Sequence, residues 1–332
     1  MRRLDQLGER EIISIFRKHL TIPKGLPVPF GDDVSAVDIG KGMIGILKTD
    51  MLVGKTDVPP GMTLWQAARK AVVMNISDLA SKGVQPLIAL CSVGLPRDLT
   101  EGDVVQIAKG LDAGAREYGA YVIGGDTNES DDVVVSCSLL GVWKQGEIVR
   151  RGGANPGDIL VVSGHFGRTA AGLKLLLEGL SAPTPMRKKL LDSVYLPRAR
   201  VKEGIALARS RVASSSIDSS DGLAWSLHEL SLASRVGFCV TDLPIAEEAK
   251  VFADLNGLSA EELALYGGEE FELVATVKPG GWVRASDAVR EVGGELLKIG
   301  YATRVQKIVL RKNGVEEEVK PVGWTHFTRP PR

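Results

Sequence analysis

The chain has 332 residues, 44% of them hydrophobic and 25% charged, which is long enough for two ordinary domains with their own cores and unlike a disordered segment. Lys plus Arg equals Asp plus Glu at 41 each, and zero net charge argues against a broad nucleic-acid or anionic-membrane surface, since either needs a basic excess. The polar start Met1-Arg2-Arg3-Leu4-Asp5 shows no signal-peptide pattern and no run of roughly 18 apolar residues occurs, so a cytoplasmic protein without a membrane partner is expected.

Leu7, Ile12, Ile13, Ile15 and Phe16 alternate with charges over residues 4–20, a spacing that predicts a surface helix. A Pro- and Gly-rich loop then ends in Gly31-Asp32-Asp33, and residues 43–48 read as a buried strand with Asp50 at its end. Residues 63–82 read as a helix, opened by Thr63 after Pro59-Pro60-Gly61 and closed by Gly83. A strand at 87–93 is followed by a helix at 104–118, with Asp103 before it and Gly119 at its end. A short strand at 121–123 runs into Gly124-Gly125-Asp126, and another spans 133–142. Turn formers cluster in Arg151-Gly152-Gly153-Ala154-Asn155-Pro156-Gly157-Asp158, which predicts a boundary between domains 1–148 and 149–332. Beyond it strands are predicted at 159–163, 212–216, 237–240 and 271–277, and helices at 169–177, 223–234 and 282–292. This interleaving predicts an α/β plus α+β protein of two mixed domains. Cys91, Cys137 and Cys239 are far apart in sequence and odd in number, and are expected to be buried, reduced thiols.

Gly54-Lys55-Thr56 resembles the tail of a phosphate-binding P-loop, but that motif needs a glycine where this chain has Thr49. It must also open a helix, and Pro59-Pro60 interrupts the place where that helix would run.

Carboxylates are the informative feature. Asp32 and Asp33 follow Gly31, Asp50 ends a strand, Asp126 follows paired glycines, and Asp218 and Asp221 lie between a strand and a helix. Strand ends in such sheets are where ligands collect. Asp78 instead lies inside the 63–82 helix, on a polar stripe of Ala71, Asn75, Asp78 and Lys82 that is otherwise explained as an exposed helix face. Two like charges about 4 Å apart repel by roughly 4 kcal/mol at an effective dielectric near 20. An acidic cradle therefore implies either several divalent ions between it and a phosphate ligand or no phosphate ligand at all.

At these residues the chain resembles the thiamine-monophosphate kinases, within the superfamily of aminoimidazole-ribonucleotide synthetases, selenophosphate synthetases and hydrogenase-maturation proteins. The resemblance is carried by Gly31-Asp32-Asp33, Thr49-Asp50, Asn75-Ile76-Ser77-Asp78-Leu79-Ala80, Gly124-Gly125-Asp126-Thr127, the 151–158 segment, Ile217-Asp218-Ser219-Ser220-Asp221-Gly222 and Gly267-Gly268-Glu269-Glu270-Phe271-Glu272-Leu273. It implies several Mg2+ ions on Asp33, Thr49, Asp50, Asp78, Asp126, Asp218 and Asp221. It also implies ATP contacts at Tyr118, Gly125, Asp126, Arg151 and Ser220, and substrate contacts at Glu269 and Trp324, the latter in Gly323-Trp324-Thr325-His326-Phe327. Many family members carry a His where this chain offers Thr56-Asp57, so Asp57 is the candidate for meeting the cationic rings. The first cysteine, Cys91, lies too far along for a selenophosphate synthetase, and Asp126 stands where aminoimidazole-ribonucleotide synthetases typically have Glu. The implied fold is an N-terminal domain forming a β-barrel across a homodimer, plus a C-terminal α+β domain. The implied reaction moves the γ-phosphoryl group of ATP directly onto thiamine monophosphate, with no covalent nucleophile and no obligatory base. A sibling enzyme acting on a purine precursor and a non-catalytic nucleotide-binding regulator are the alternatives.

Overall fold

The computed structural model describes residues 3–324 and builds them around two sheets. The N-terminal half runs through α1 (Glu9–His19), β1 (Ser35–Gly40), β2 (Met43–Val53), the single turn α2 (Gly54–Asp57), α3 (Leu64–Ser81), β3 (Pro86–Leu95), α4 (Glu101–Arg116), β4 (Tyr121–Glu129) and β5 (Val134–Lys144). Its five-stranded sheet has the order β1-β2-β5-β3-β4 and is open, with β1 and β4 as edges. The second half contains β6 (Ile159–Val162), α5 (Arg168–Leu177), α6 (Thr184–Tyr195), α7 (Val201–Arg209), β7 (Ala213–Asp218), α8 (Leu223–Ser234), β8 (Gly237–Val240), α9 (Glu247–Asn256), α10 (Ala260–Tyr266), β9 (Leu273–Val277), α11 (Trp282–Glu291), β10 (Leu297–Thr303), β11 (Ile308–Lys312) and β12 (Val315–Glu318). Its seven-stranded sheet has the order β12-β11-β8-β10-β6-β9-β7. No helix among the described residues is long and apolar enough to cross a membrane.

The central element is α3. Thr63 caps it, accepting the Gln66 amide while the Gln66 side chain accepts the Thr63 amide, so two otherwise orphaned donors are satisfied. Val72, Ile76 and Leu79 pack on Ile44, Ile46, Leu52 and Leu139 of the sheet in one continuous core. The opposite side is closed by α4 and α7; an added Cβ at Gly204 on α7 would lie 1.9 Å from the Ala80 carbonyl oxygen. A helix enclosed on all sides has no surface face. The stripe of Asn75, Asp78 and Lys82, readable as solvent-facing, is therefore inside the molecule, with exposures of 0, 8 and 0%.

Other expectations shift for local reasons. Residues 4–20 divide into a 3-10 turn at Leu4–Gln6 and α1, which buries none of its residues. Asp103 lies inside α4, where it completes a capping box with Thr100. Strand β2 continues past Asp50 to Val53, and Gly124-Gly125-Asp126 is not a turn but part of β4. Gly54-Lys55-Thr56 does form one helical turn, which ends before Pro59-Pro60. Cys91 and Cys137 face each other across β3 and β5, with their sulfurs 3.2 Å apart.

Candidate active site

Three carboxylates meet where the two halves join. Asp33 comes from the loop before β1, Asp78 from α3 and Asp218 from the end of β7. All three are buried, and one oxygen of each lies within 4.8 Å of the others. Ser77 donates to Asp218 Oδ2 at 2.6 Å, and Ser81 donates to Asp33 Oδ2 at 3.3 Å. One turn before Asp78, the buried Asn75 gives its amide to the Ala71 carbonyl and leaves Oδ1 without a partner.

Cations from three elements surround this group. Lys82 Nζ lies 2.8 Å from Asp32 Oδ1 and 2.5 Å from Asp33 Oδ2, and donates to the Ser216 carbonyl at 2.7 Å. Arg151 pairs with Asp33 and, at 2.9 Å, with Glu229, while its amide donates to Asp32 Oδ2. Lys48 Nζ lies 2.9 Å from Asp78 Oδ2 and 3.8 Å from Asp50 Oδ2.

These contacts divide the carboxylates electrostatically. Burial opposes ionisation of Asp33, but Lys82 and Arg151 outweigh it and hold the group well below the usual carboxylate range. Burial raises Asp78 well above that range; Lys48 opposes the shift, and Asp218, Asp33 and Asp50 reinforce it. Burial also pushes Asp218 up to about 6, with Asp33 adding to the rise and the Ser77 hydrogen bond opposing it. Asp32, Asp33, Asp50, Asp78 and Asp218 face Lys48, Lys82 and Arg151, so full ionisation leaves the cluster with two uncompensated negative charges. A hard divalent cation takes oxygen ligands of this kind. The all-carboxylate donor set therefore fits Mg2+, and Asp33, Asp78 and Asp218 are the residues that would hold it.

The remaining candidates are distributed as follows. Asp50 shares the inward face of β2 with Lys48, whereas Thr49 lies on the outward face and donates to the Cys137 carbonyl at 3.1 Å. Asp126 is exposed on edge strand β4, and Asp221 is exposed at the head of α8; neither belongs to the three-carboxylate group. Gly125 presses on β3, since an added Cβ would lie 1.7 Å from the Cys91 carbonyl oxygen. The Tyr118 hydroxyl accepts the Ala199 amide at 2.9 Å, and burial pushes its pKa up to about 12. Ser220 is exposed, and its carbonyl accepts the Glu269 amide at 2.6 Å.

Among the residues expected to meet the acceptor, Lys70 Nζ lies 2.5 Å from Glu269 and donates to the Asp57 carbonyl at 2.9 Å. The Asp57 carboxylate accepts the Val53 amide at 2.7 Å, closing its own short turn. Glu269 and Phe271 both adopt left-handed backbone, at φ 62° and 53°. Such conformations are costly for non-glycine residues and cluster at functional segments. Trp324 is 52% exposed and donates its amide to the Asp221 carbonyl; Thr325, His326 and Phe327 of its motif lie outside the described residues. A separate cavity of about 400 Å3, lined by Arg168, Thr169, Arg198, Arg200, Glu270 and Glu272 among others, includes none of the three clustered carboxylates.

Sequence reasoning passed over Lys48, Lys70, Lys82 and Ser77, which contact the acidic residues of the site. Lys48 carried a usable signal: it is two residues from Asp50, so strand alternation puts both on one face. Lys70 and Lys82 had none, because their partners are distant in sequence.

The chain matches the family described as AIR synthase related protein, with the N-terminal domain over residues 31–143 and the C-terminal domain over residues 155–313. It is 33% identical to the thiamine-monophosphate kinase of Nitrosopumilus maritimus, covering 98% of this chain and 100% of that protein. It is 34% identical to the thiamine-monophosphate kinase of Pyrococcus abyssi, covering 97% and 96%. The solved structure of AaThiL complexed with AMPPCP and TMP superposes with a TM-score of 0.86 at 28% identity, covering 98% of this chain and 99% of that one. The hydrogenase maturation protein HypE in complex with ATP, at 18% identity and a TM-score of 0.71, shares the fold over 89% of each chain. The chain belongs to the AIR synthase related proteins and, within them, to the thiamine-monophosphate kinase family.

Proposed function

We propose that this chain transfers the γ-phosphoryl group of ATP to thiamine monophosphate, giving thiamine diphosphate and ADP by direct in-line transfer. The observation that carries the reading is the convergence of Asp33, Asp78 and Asp218, in a chain similar over nearly its whole length to thiamine-monophosphate kinases. Bound Mg2+ would supply neutralisation and orientation of the phosphates. The chain's own part is to hold the carboxylates through Lys48, Lys82, Arg151 and Ser77 and to exclude water from them by burial. Asp50, on the inward face of β2, would complete the metal shell with Asp126 and Asp221, whereas the Thr49 side chain, on the outward face and hydrogen-bonded to Cys137 and Ser138, is turned away from it. Gly125, Arg151, Ser220 and Tyr118 would face the nucleotide, and Asp57, Glu269 and Trp324 the acceptor. A phosphate monoester has its second pKa near about 6 and is largely deprotonated at neutral pH, so the acceptor oxygen needs no base.

The same reading divides the chain into domains 1–148 and 149–332 and makes it a homodimer whose two open sheets close into a barrel. Val37, Ile39, Leu47, Met51, Leu90 and Tyr121 on the five-stranded sheet are each between 44 and 54% exposed, more apolar surface than an isolated sheet face carries without a partner.

The test is Asp78→Asn, assayed for thiamine diphosphate at saturating ATP and Mg2+. Loss of a group that stabilises transition-state charge costs on the order of 100- to 1,000-fold in kcat, and turnover within twofold of the parent would remove Asp78 from the mechanism. Offering formylglycinamidine ribonucleotide as acceptor separates a purine-precursor enzyme, and ATP binding without turnover of either acceptor identifies a regulator.

A further inference from the structure

We infer that Lys48 is a positioning residue of the phosphoryl-transfer centre: its ammonium group is a built-in cation that holds Asp50 and Asp78 together and takes the place of one metal ion. The inference rests on the metal reading above and adds a residue that reading does not contain. Strand alternation on β2 puts Lys48 and Asp50 on the inward face, toward α3. From there Lys48 Nζ reaches Asp78 Oδ2 at 2.9 Å and Asp50 Oδ2 at 3.8 Å, so one ammonium joins carboxylates of a strand and a helix. Its side chain is 19% exposed, so the charge is largely shielded from solvent and acts on these groups with little screening.

The comparison with Lys82 defines the role. Lys82 has no exposed side-chain surface and gives its ammonium to Asp32, Asp33 and the Ser216 carbonyl. An ammonium has three donors, so Lys82 is saturated by the protein and serves as a structural tie. Lys48 directs its ammonium at Asp78 and Asp50 and keeps 19% of its side chain exposed. It therefore neutralises one charge of the cluster before any metal binds. Removing the ammonium leaves Asp50 and Asp78 facing each other with an extra uncompensated charge, which a divalent ion would then offset.

The experiment counts Mn2+, as a substitute for Mg2+, on the full chain without nucleotide by electron paramagnetic resonance. Lys48→Met is expected to bind one more Mn2+ per chain than the parent, or the same number with at least tenfold higher affinity, and Lys48→Arg to keep the parent's values. A purely structural lysine would change the melting temperature without changing the ion count. If the parent binds Mn2+ and Lys48→Met binds the same number with the same affinity, the inference is wrong and the metal reading stands. If the parent binds none, the metal reading itself fails and this one with it. Lys48→Gln provides the same measurement if the Met variant does not fold.

Discussion

Lys82 Nζ lies 2.5 Å from Asp33 Oδ2, with side-chain exposures of 0 and 4%. The pair joins the end of α3 to the loop before β1, and the Ser216 carbonyl ties the same ammonium to β7. Breaking a buried ion pair from one side is worse than never having it, because the remaining charge stays desolvated. Lys82→Met should therefore lower the free energy of unfolding by about 3–5 kcal/mol, read from urea denaturation. Adding Asp32→Asn and Asp33→Asn should recover part of that loss while abolishing activity. Equal stability of parent and single variant would show that the contact is not a tie.

The half-buried Glu270 gives the fold a pH dependence of its own. Burial pushes its carboxyl up to about 7 from 4.5, with Glu272 adding to the rise and hydrogen bonds from Thr169 opposing it. A carboxyl whose folded pKa exceeds its unfolded value favours the protonated fold. Its contribution is complete below pH 4.5 and is lost as the pH rises through about 7. Between pH 5 and 8 the parent should lose on the order of 2–3 kcal/mol from this group. Glu270→Gln keeps an acceptor for the Thr169 amide and has nothing to titrate, so its stability should fall less over the same range. Parallel curves for the two proteins, measured by urea midpoint at each pH, would exclude Glu270 as the source.

How much of this was legible beforehand depended on how local the cause was. The limits of α3 were readable because Thr63 and Gly83 act within a turn of the chain. The burial of its polar stripe was not, since it is imposed by α4, α7 and the sheet together, and periodicity reports only one helix. The acidic positions could be listed, but only folding shows that Asp33, Asp78 and Asp218 converge while Asp126 and Asp221 stay exposed. The glycines at 124 and 125 interrupt the strand pattern because glycine weakens strands; here β4 needs Gly125 because at that residue it runs hard against β3.

That closeness makes Gly125→Ala a selective probe. The new methyl carbon would stand 1.7 Å from the Cys91 carbonyl oxygen, far inside contact distance, so β4 must move away from β3. As an edge strand with most of its residues exposed, β4 contributes little to the core. The stability should fall by about 1–3 kcal/mol, the usual cost of overpacking, while the KM for ATP rises at least tenfold. A variant with unchanged KM would place the nucleotide away from this strand.

The outward face of the five-stranded sheet supplies the last expectation. Leu47 and Met51 point out of β2, at 45 and 53% exposure, and Leu90 does the same on β3 at 49%. Each is two-sided in its neighbours: the opposite face of the same strands holds Ile46, Leu52 and Ala89, all essentially inaccessible. A strand apolar on both faces is the pattern of a sheet covered on both sides, and among the described residues only one side is covered. Burying a side chain of this size contributes about 1.5–3 kcal/mol, and a two-fold interface would count each residue twice. Replacing Leu47 and Met51 together with Lys should therefore convert a dimer to a monomer in light scattering, leaving the far-ultraviolet circular dichroism spectrum intact because neither side chain enters the core. A parent protein that is already monomeric at micromolar concentration, or a double variant that remains dimeric, would move the interface off this sheet.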